Sequence, residues 1–196
     1  MPCGLLGYLL LGGAVRPGFT DYWGYLVGQT ALALTLLVLA EVRLAGEGGL
    51  SRSAHALAGA ALAADVVGNA ARWYARSDAY DQLVHFLSVA AITTVLADAL
   101  VALGRRGTVA WSLPARLAVA ATVAVALGLG WEVYEYVGDA VFGTWRSHGR
   151  WDTAFDVVCD GLGAVAAAAL VWRREAGRPA RIPATVLLRS EPTAGD

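Results

Sequence analysis

The sequence predicts an all-α protein, a polytopic transmembrane bundle of five or six helices. Of its 196 residues, 57% are hydrophobic and only 16% charged, with a mean hydropathy of +0.54. Soluble domains run near ~45–50% apolar and ~25% charged. The apolar excess is gathered in segments close to the ~20 residues that a helix needs to cross a bilayer. Lipid offers backbone groups no partners, so helices, which satisfy them internally, are the expected form. A chain this short holds one bundle, over residues 1–174. A disordered cytoplasmic tail, rich in Arg, Pro, Ser and Thr, is expected over 175–196.

Five segments are clear. The first runs from Tyr22 to Ala40 and opens on the interfacial pair Tyr22 and Trp23. The second covers Ala54–Ala71 and the third Leu83–Leu103. The fourth, Leu117–Val141, follows Pro114 and Arg116. The fifth, Thr153–Trp172, stops at Arg173 and Arg174. The shorter stretch Gly4–Val15 fits a signal-peptide core, a half-span or a short first span. It lacks a basic n-region and a small-residue cleavage site, which favours a retained short helix. Cys3 and Cys159 are far apart in apolar sequence and read as unrelated buried thiols.

Charge narrows the partners and sets the orientation. The net charge is −1, so no basic field for nucleic acid exists. Every basic residue is arginine. With the C-terminus cytoplasmic, Arg43, Arg52, Arg105, Arg106, Arg116 and the five arginines from Arg173 onward fall inside. Arg16, Arg72, Arg76, Arg146 and Arg150 fall outside. That balance obeys the positive-inside rule.

Charge within a span is costly. An Asp at the helix centre costs ~2.5–3.5 kcal/mol even on the lower scales, so each one needs a reason. Here the polar residues form stripes at helical spacing: Asp65, Asn69, Arg72 and Arg76 in the second span, and Asp81 and His85 opening the third. Glu132, Glu135 and Asp139 lie late in the fourth, and Asp152, Asp156 and Asp160 open the fifth. Successive spans are antiparallel, so all four stripes come to one end of the bundle, extracytoplasmic by the arginine balance. Positive helix N-termini favour Asp81, Asp152 and Asp156 there. The C-terminus of the fourth span opposes Glu132, Glu135 and Asp139 unless a cation, a proton or an arginine compensates. Carboxylates with one histidine suit a hard or borderline divalent ion, Mg, Mn or Fe.

Other polar residues read more plainly. Asp98 lies towards the opposite end and is expected to snorkel or bond between helices. His55 starts a span and His148 lies in a loop. Gly128, Gly130, Gly138, Gly161 and Gly163 read as positions of close helix packing, and Tyr74, Tyr80, Trp145 and Trp151 as an aromatic belt. There is no Ser-His-Asp or Cys-His signature, phosphate loop or CxxC pair.

Three segments together carry a resemblance: Tyr80-Asp81-Gln82-Leu83-Val84-His85-Phe86, Trp131-Glu132-Val133-Tyr134-Glu135-Tyr136, and Trp151-Asp152-Thr153-Ala154-Phe155-Asp156 with Gly163-Ala164 downstream. In this order they resemble the VanZ-like and YjdF-type small bacterial membrane proteins, over about Asp65 to Trp172. The resemblance implies a multi-pass place in the cell membrane. For VanZ itself it implies a role in glycopeptide resistance, which does not carry over to this chain. Asp160 stands where the family pattern implies an amide or small residue.

The leading expectation is a membrane enzyme acting on a lipid-like phosphate or isoprenoid near the outer leaflet. Glu132, Glu135, His85 and Asp156 would be its catalytic groups, and Asp81, His85, Glu132, Glu135, Asp152 and Asp156 its metal ligands. Asp65, Asn69, Asp139 and Asp160 are expected in supporting places. A metal-free acid mechanism is a variant, with Glu132 kept protonated. The alternative is a non-enzymatic lipid- or antibiotic-binding membrane protein with a structural polar cluster. An ion-coupled carrier fits less well, because no repeat is visible.

Overall fold

A computed structural model describes residues 20–142 and 149–177. The stretch 4–15, the loop residues Trp145, Arg146 and His148, and the tail over 178–196 lie outside them. Among the described residues all regular structure is helical. The elements are α1 (Thr20–Leu44), a short 3-10 turn (Ala45–Glu47), α2 (Arg52–Ala71), α3 (Asp78–Arg105), α4 (Leu113–Phe142) and α5 (Arg150–Ala176).

Each helix runs past the apolar segment that announces it. The added residues include charged ones, such as Asp78 and Asp81 at the start of α3 and Arg173 to Glu175 at the end of α5. Hydropathy marks only the stretch inside hydrocarbon, whereas a helix continues into the headgroup layer. Pro114 is tolerated near the start of α4, where its missing N–H is no loss.

Four described helices are long and apolar enough to cross a membrane: α1, α3, α4 and α5. That supports a multi-span helical bundle; the expected fifth or sixth span is not among these four. By composition α2 falls outside the set, its 20 residues including Arg52, His55, Asp65 and Asn69. It stops at Ala71 because Arg72 takes a left-handed conformation (φ 58°) and closes the helix. Arg72 and Arg76 therefore do not continue the stripe of Asp65 and Asn69.

Packing inverts the pattern of a soluble protein. The interior is built from small residues: Ala58, Ala61 and Ala91 between α2 and α3; Val89, Ala124 and Ala164 where α3, α4 and α5 meet; Ala97, Leu117, Ala120 and Val171 further along. Large apolar side chains face outward, including Leu32, Leu36, Val38 and Val42 on α1 and Leu162, Val165 and Leu170 on α5. In water such a surface would aggregate; in lipid it is the solvated face, and small interior residues let helices approach closely. At Gly163 two helix backbones come close, because a Cβ there would lie 2.4 Å from the Phe86 carbonyl oxygen of α3.

The central helix is α3. Its start meets the end of α2 (the Tyr80 hydroxyl donates to the Ala64 carbonyl, 2.6 Å), and its end meets the start of α2 (the Ser51 N–H donates to Asp98, 2.8 Å). It runs antiparallel to α2 and α4 and parallel to α5, whose Asp160 pairs with His85 and whose Arg174 pairs with Asp98. The starts of α3 and α5 and the later part of α4 thus share one end.

Candidate functional site

His85 is the hub of that end. It lies seven residues into α3, about 10 Å from its start at ~1.5 Å per residue. Its Nδ1 is 3.1 Å from Asp160 Oδ1 on α5. Its Nε2 is 3.3 Å from Glu132 Oε1 on α4 and 3.8 Å from Asp81 Oδ1, one turn back on α3. Three helices therefore converge on one imidazole, which is itself 7% exposed; Glu132 is 7%, Asp156 2% and Asp160 0% exposed.

The remaining site residues surround this core. Asp156, one turn before Asp160, brings a carboxylate oxygen within 4.8 Å of the ligand atoms of both Asp81 and His85. Asp152, in the first turn of α5, is half-buried and close enough to interact with Glu132 and Asp156. Thr153 hydrogen-bonds to Glu132. Glu135 is half-buried at the rim, where the Trp131 indole N–H donates to it at 3.0 Å, and it interacts with Asp81 and Glu132. Asp139, a further turn along α4, is also half-buried.

The electrostatics are unusual for a packed interior. Asp160, the carboxylate nearest His85, is wholly buried, yet its Oδ2 has no hydrogen-bond partner; nor do Glu132 Oε1 and Asp156 Oδ1. Buried polar groups are normally satisfied, and a network built only for stability closes its bonds. Gathering these acids in a low-dielectric interior requires positive charge among them, whether a proton, the imidazolium or a cation.

Comparison with known families rests on almost the whole described bundle, since the match covers residues 3–177. The chain belongs to the family described as predicted membrane protein, DUF2238. No curated protein and no solved structure matches it. A multi-pass membrane place accords with the helices of this DUF2238 protein.

Asp65 and Asn69 stand apart from the imidazole. The Asp65 carboxylate accepts from Gln29 Nε2 of α1 (2.6 Å), from Asn69 Nδ2 (2.9 Å) and from the Tyr74 hydroxyl (3.0 Å). They tie α1, α2 and the α2–α3 connection together. Burial, then the Asp65 carboxylate to which it donates, holds the Tyr74 phenol well above the usual tyrosine range. Tyr80 stacks on Trp73. Trp151 is exposed as an interfacial ring would be, whereas Tyr74 and Tyr80 bond inward.

Asp98 bonds between helices at the opposite end. It accepts from the Ser51 N–H at the start of α2 and pairs with Arg174 of α5, while Arg105 pairs with Glu175 at 2.6 Å. His55 meets the Ser51 carbonyl at 3.0 Å and Glu41 at 3.6 Å, which makes it a helix-start residue.

Two residues carry more of the site than their sequence setting suggests. Asp160 is the closest carboxylate to His85, although its Ala-rich surroundings look like packing. Gly128 faces that carboxylate: a Cβ at Gly128 would lie 2.0 Å from Asp160 Oδ2. The glycine makes room for a charged group, not for a helix. The signal for Asp160 was the i, i+4 step from Asp156.

Proposed function

We propose that this protein is a membrane-embedded enzyme acting on an amphipathic, lipid-like substrate, a lipid-linked phosphate or an isoprenoid, near the outer leaflet. The observation that carries this is the buried histidine held among carboxylates from three helices, with one oxygen each of Glu132 and Asp156 lacking a hydrogen-bond partner beside it. Such groups are poised to exchange protons with a reacting molecule. His85 and Asp156 form the inner pair and Glu132 the acid or base opposite them. Glu135 meets the substrate first, at the rim.

The surroundings favour a ligand arriving from the membrane. Trp131, Tyr134, Tyr136 and Phe155 are exposed around Glu135 and Asp156. They would line a lateral approach in which a chain stays in lipid while a polar head reaches the acids. The arginine balance supports a cytoplasmic C-terminus and so an extracytoplasmic site. The three-segment likeness to VanZ-like and YjdF-type proteins supports a place in the membrane.

The test compares lipid extracts from bacterial cells producing the wild-type chain or the variants Glu132→Gln, His85→Ala and Asp156→Asn, each at equal membrane abundance. A lipid-soluble species should change with the wild type and with none of the variants. Extracts indistinguishable from those of cells lacking the chain would sink the reading. Wild-type changes preserved in all three variants would move the activity elsewhere.

A further inference from the structure

We propose that Asp81, His85 Nε2, Glu132 and Asp156 form a binding site for one divalent first-row transition-metal ion, manganese(II) or iron(II), with Asp160 as the positioning residue that aims the imidazole. The inference deepens the reading above by naming what occupies the cluster.

Asp160 Oδ1 lies 3.1 Å from His85 Nδ1, so that nitrogen carries the hydrogen and donates it. The lone pair of a neutral imidazole then sits on Nε2. Facing Nε2 are Glu132 Oε1 at 3.3 Å and Asp81 Oδ1 at 3.8 Å. A lone pair and two carboxylate oxygens do not face one another unless something positive lies between. A second proton on the ring or a metal ion are the two candidates.

Two observations favour the ion. First, the spacing suits coordination: donors at about 2.1 Å from a metal are about 3.0 Å apart when cis in an octahedron and about 3.4 Å apart in a tetrahedron. The Nε2–Glu132 separation falls in that range, and the ligand atoms of Asp81, His85 and Asp156 all lie within 4.8 Å of one another. Second, Asp156 is 2% exposed, and its Oδ1 has no hydrogen-bond partner. One proton on Nε2 can satisfy one oxygen, not both Glu132 Oε1 and Asp156 Oδ1. An ion of coordination number six can take all three carboxylates and the nitrogen.

The donor set selects the metal class. One imidazole with three carboxylates is harder than the thiolate-rich sets of structural zinc. It is softer than the all-oxygen shells of calcium or magnesium, which favours manganese(II) or iron(II). A carboxylate on the far ring nitrogen is the usual outer support of a metal-bound histidine, and its loss typically costs ~10–100-fold in affinity. Asp160, fully buried and four residues beyond Asp156, is built into that position.

The test uses the full chain, purified in detergent and stripped with chelator, then titrated with manganese(II) by electron paramagnetic resonance. Bound metal is also counted by elemental analysis. One equivalent per chain is expected. Asp156→Asn and His85→Ala should each weaken binding by at least tenfold. Asp160→Asn should keep the stoichiometry, weaken affinity by ~10–100-fold, and alter the nitrogen coupling of the bound manganese, which a merely structural role would leave alone. Asp98→Asn at the far end should leave affinity unchanged. Wild-type chain that stays folded yet binds no manganese or iron at 100-fold excess would overturn the inference, as would binding indifferent to Asp156→Asn. No lipid turnover enters the measurement. Metal binding without a lipid change sinks only the enzyme reading, and a lipid change without metal binding sinks only this one.

Discussion

Replacing Gly128 by alanine puts a methyl group where a carboxylate now lies. The added Cβ would sit 2.0 Å from Asp160 Oδ2 and 2.8 Å from its Cγ, whereas ordinary contact begins near 3.4 Å. The carboxylate must retreat by about 1.4 Å or α4 must move outward. Asp160 has little freedom, since it is fully buried and its other oxygen is 3.1 Å from His85. A retreat of that size breaks the bond to the ring, a charge-assisted contact worth about 1.5–3 kcal/mol. Overpacking adds about 1–3 kcal/mol, and the better helix propensity of alanine returns about 0.5–1 kcal/mol. The net expectation is a loss of about 2–5 kcal/mol. At about 2–4 °C per kcal/mol, thermal unfolding in detergent, followed by tryptophan emission, should fall by about 4–20 °C. Gly130→Ala, in the same helix with nothing within 4 Å of its added Cβ, is the control and should be neutral or mildly stabilising. In an Asp160→Ala background the space opens, and Gly128→Ala should cost almost nothing. Equal Tm values for Gly128→Ala and Gly130→Ala, or additive effects in the double variant, would refute the placement of Asp160 against α4.

Gly163→Ala meets backbone instead of a side chain, 2.4 Å from the Phe86 carbonyl oxygen, so α3 and α5 must separate. It should lower Tm at least as much as Gly128→Ala, while Gly161→Ala, with open space around it, should not. Asp98→Ala leaves Arg174 and the Ser51 N–H without their acceptor. It should cost about 2–4 kcal/mol in thermal unfolding, by loss of a largely buried pair. Tyr74→Phe removes the bond to Asp65 and should cost about 1 kcal/mol at neutral pH. Because folding raises the phenol's pKa, its contribution is intact below the ordinary tyrosine value of about 10 and is lost as pH rises above it. A pH series of unfolding midpoints should therefore converge for wild type and Tyr74→Phe on the alkaline side; parallel curves would argue against the buried phenol.

Much of the bundle was legible because its signals are local. Runs of apolar residues predict helices, and antiparallel alternation brings polar stripes at span ends to one side; His85, Asp81, Glu132 and Asp156 do meet there. What stayed hidden depends on pairings between helices. No periodicity reveals that Asp65 is claimed by Gln29, 36 residues earlier, and Tyr74, and so belongs to a separate tie. Nor does composition separate a glycine that admits a neighbouring helix, such as Gly163, from one that admits a carboxylate, such as Gly128. Among the described residues α2 falls outside the four strongly apolar helices because Arg52, Ser53, His55, Asp65 and Asn69 dilute its 20 residues.

The two ends of α3 handle buried acid in different ways, and the contrast bears on what the histidine end is for. At Asp98 every acid has an obvious opposite: Asp98 takes Arg174 and the Ser51 N–H, and Glu175 takes Arg105 and Arg174. Arginine carries its charge permanently, so that end is balanced at any ordinary pH and has nothing to exchange. At His85 the facing group is an imidazole, which can take up or release a proton, and Asp81, Glu132 and Asp160 all stand within 4 Å of it. Had the need been only to hold α3, α4 and α5 together, an arginine or a run of alanines would have served at lower cost in desolvation. A titratable hub among incompletely bonded carboxylates is the arrangement that changes state when a proton, an ion or a substrate arrives. The same helix thus carries a closed electrostatic lock at one end and an open one at the other.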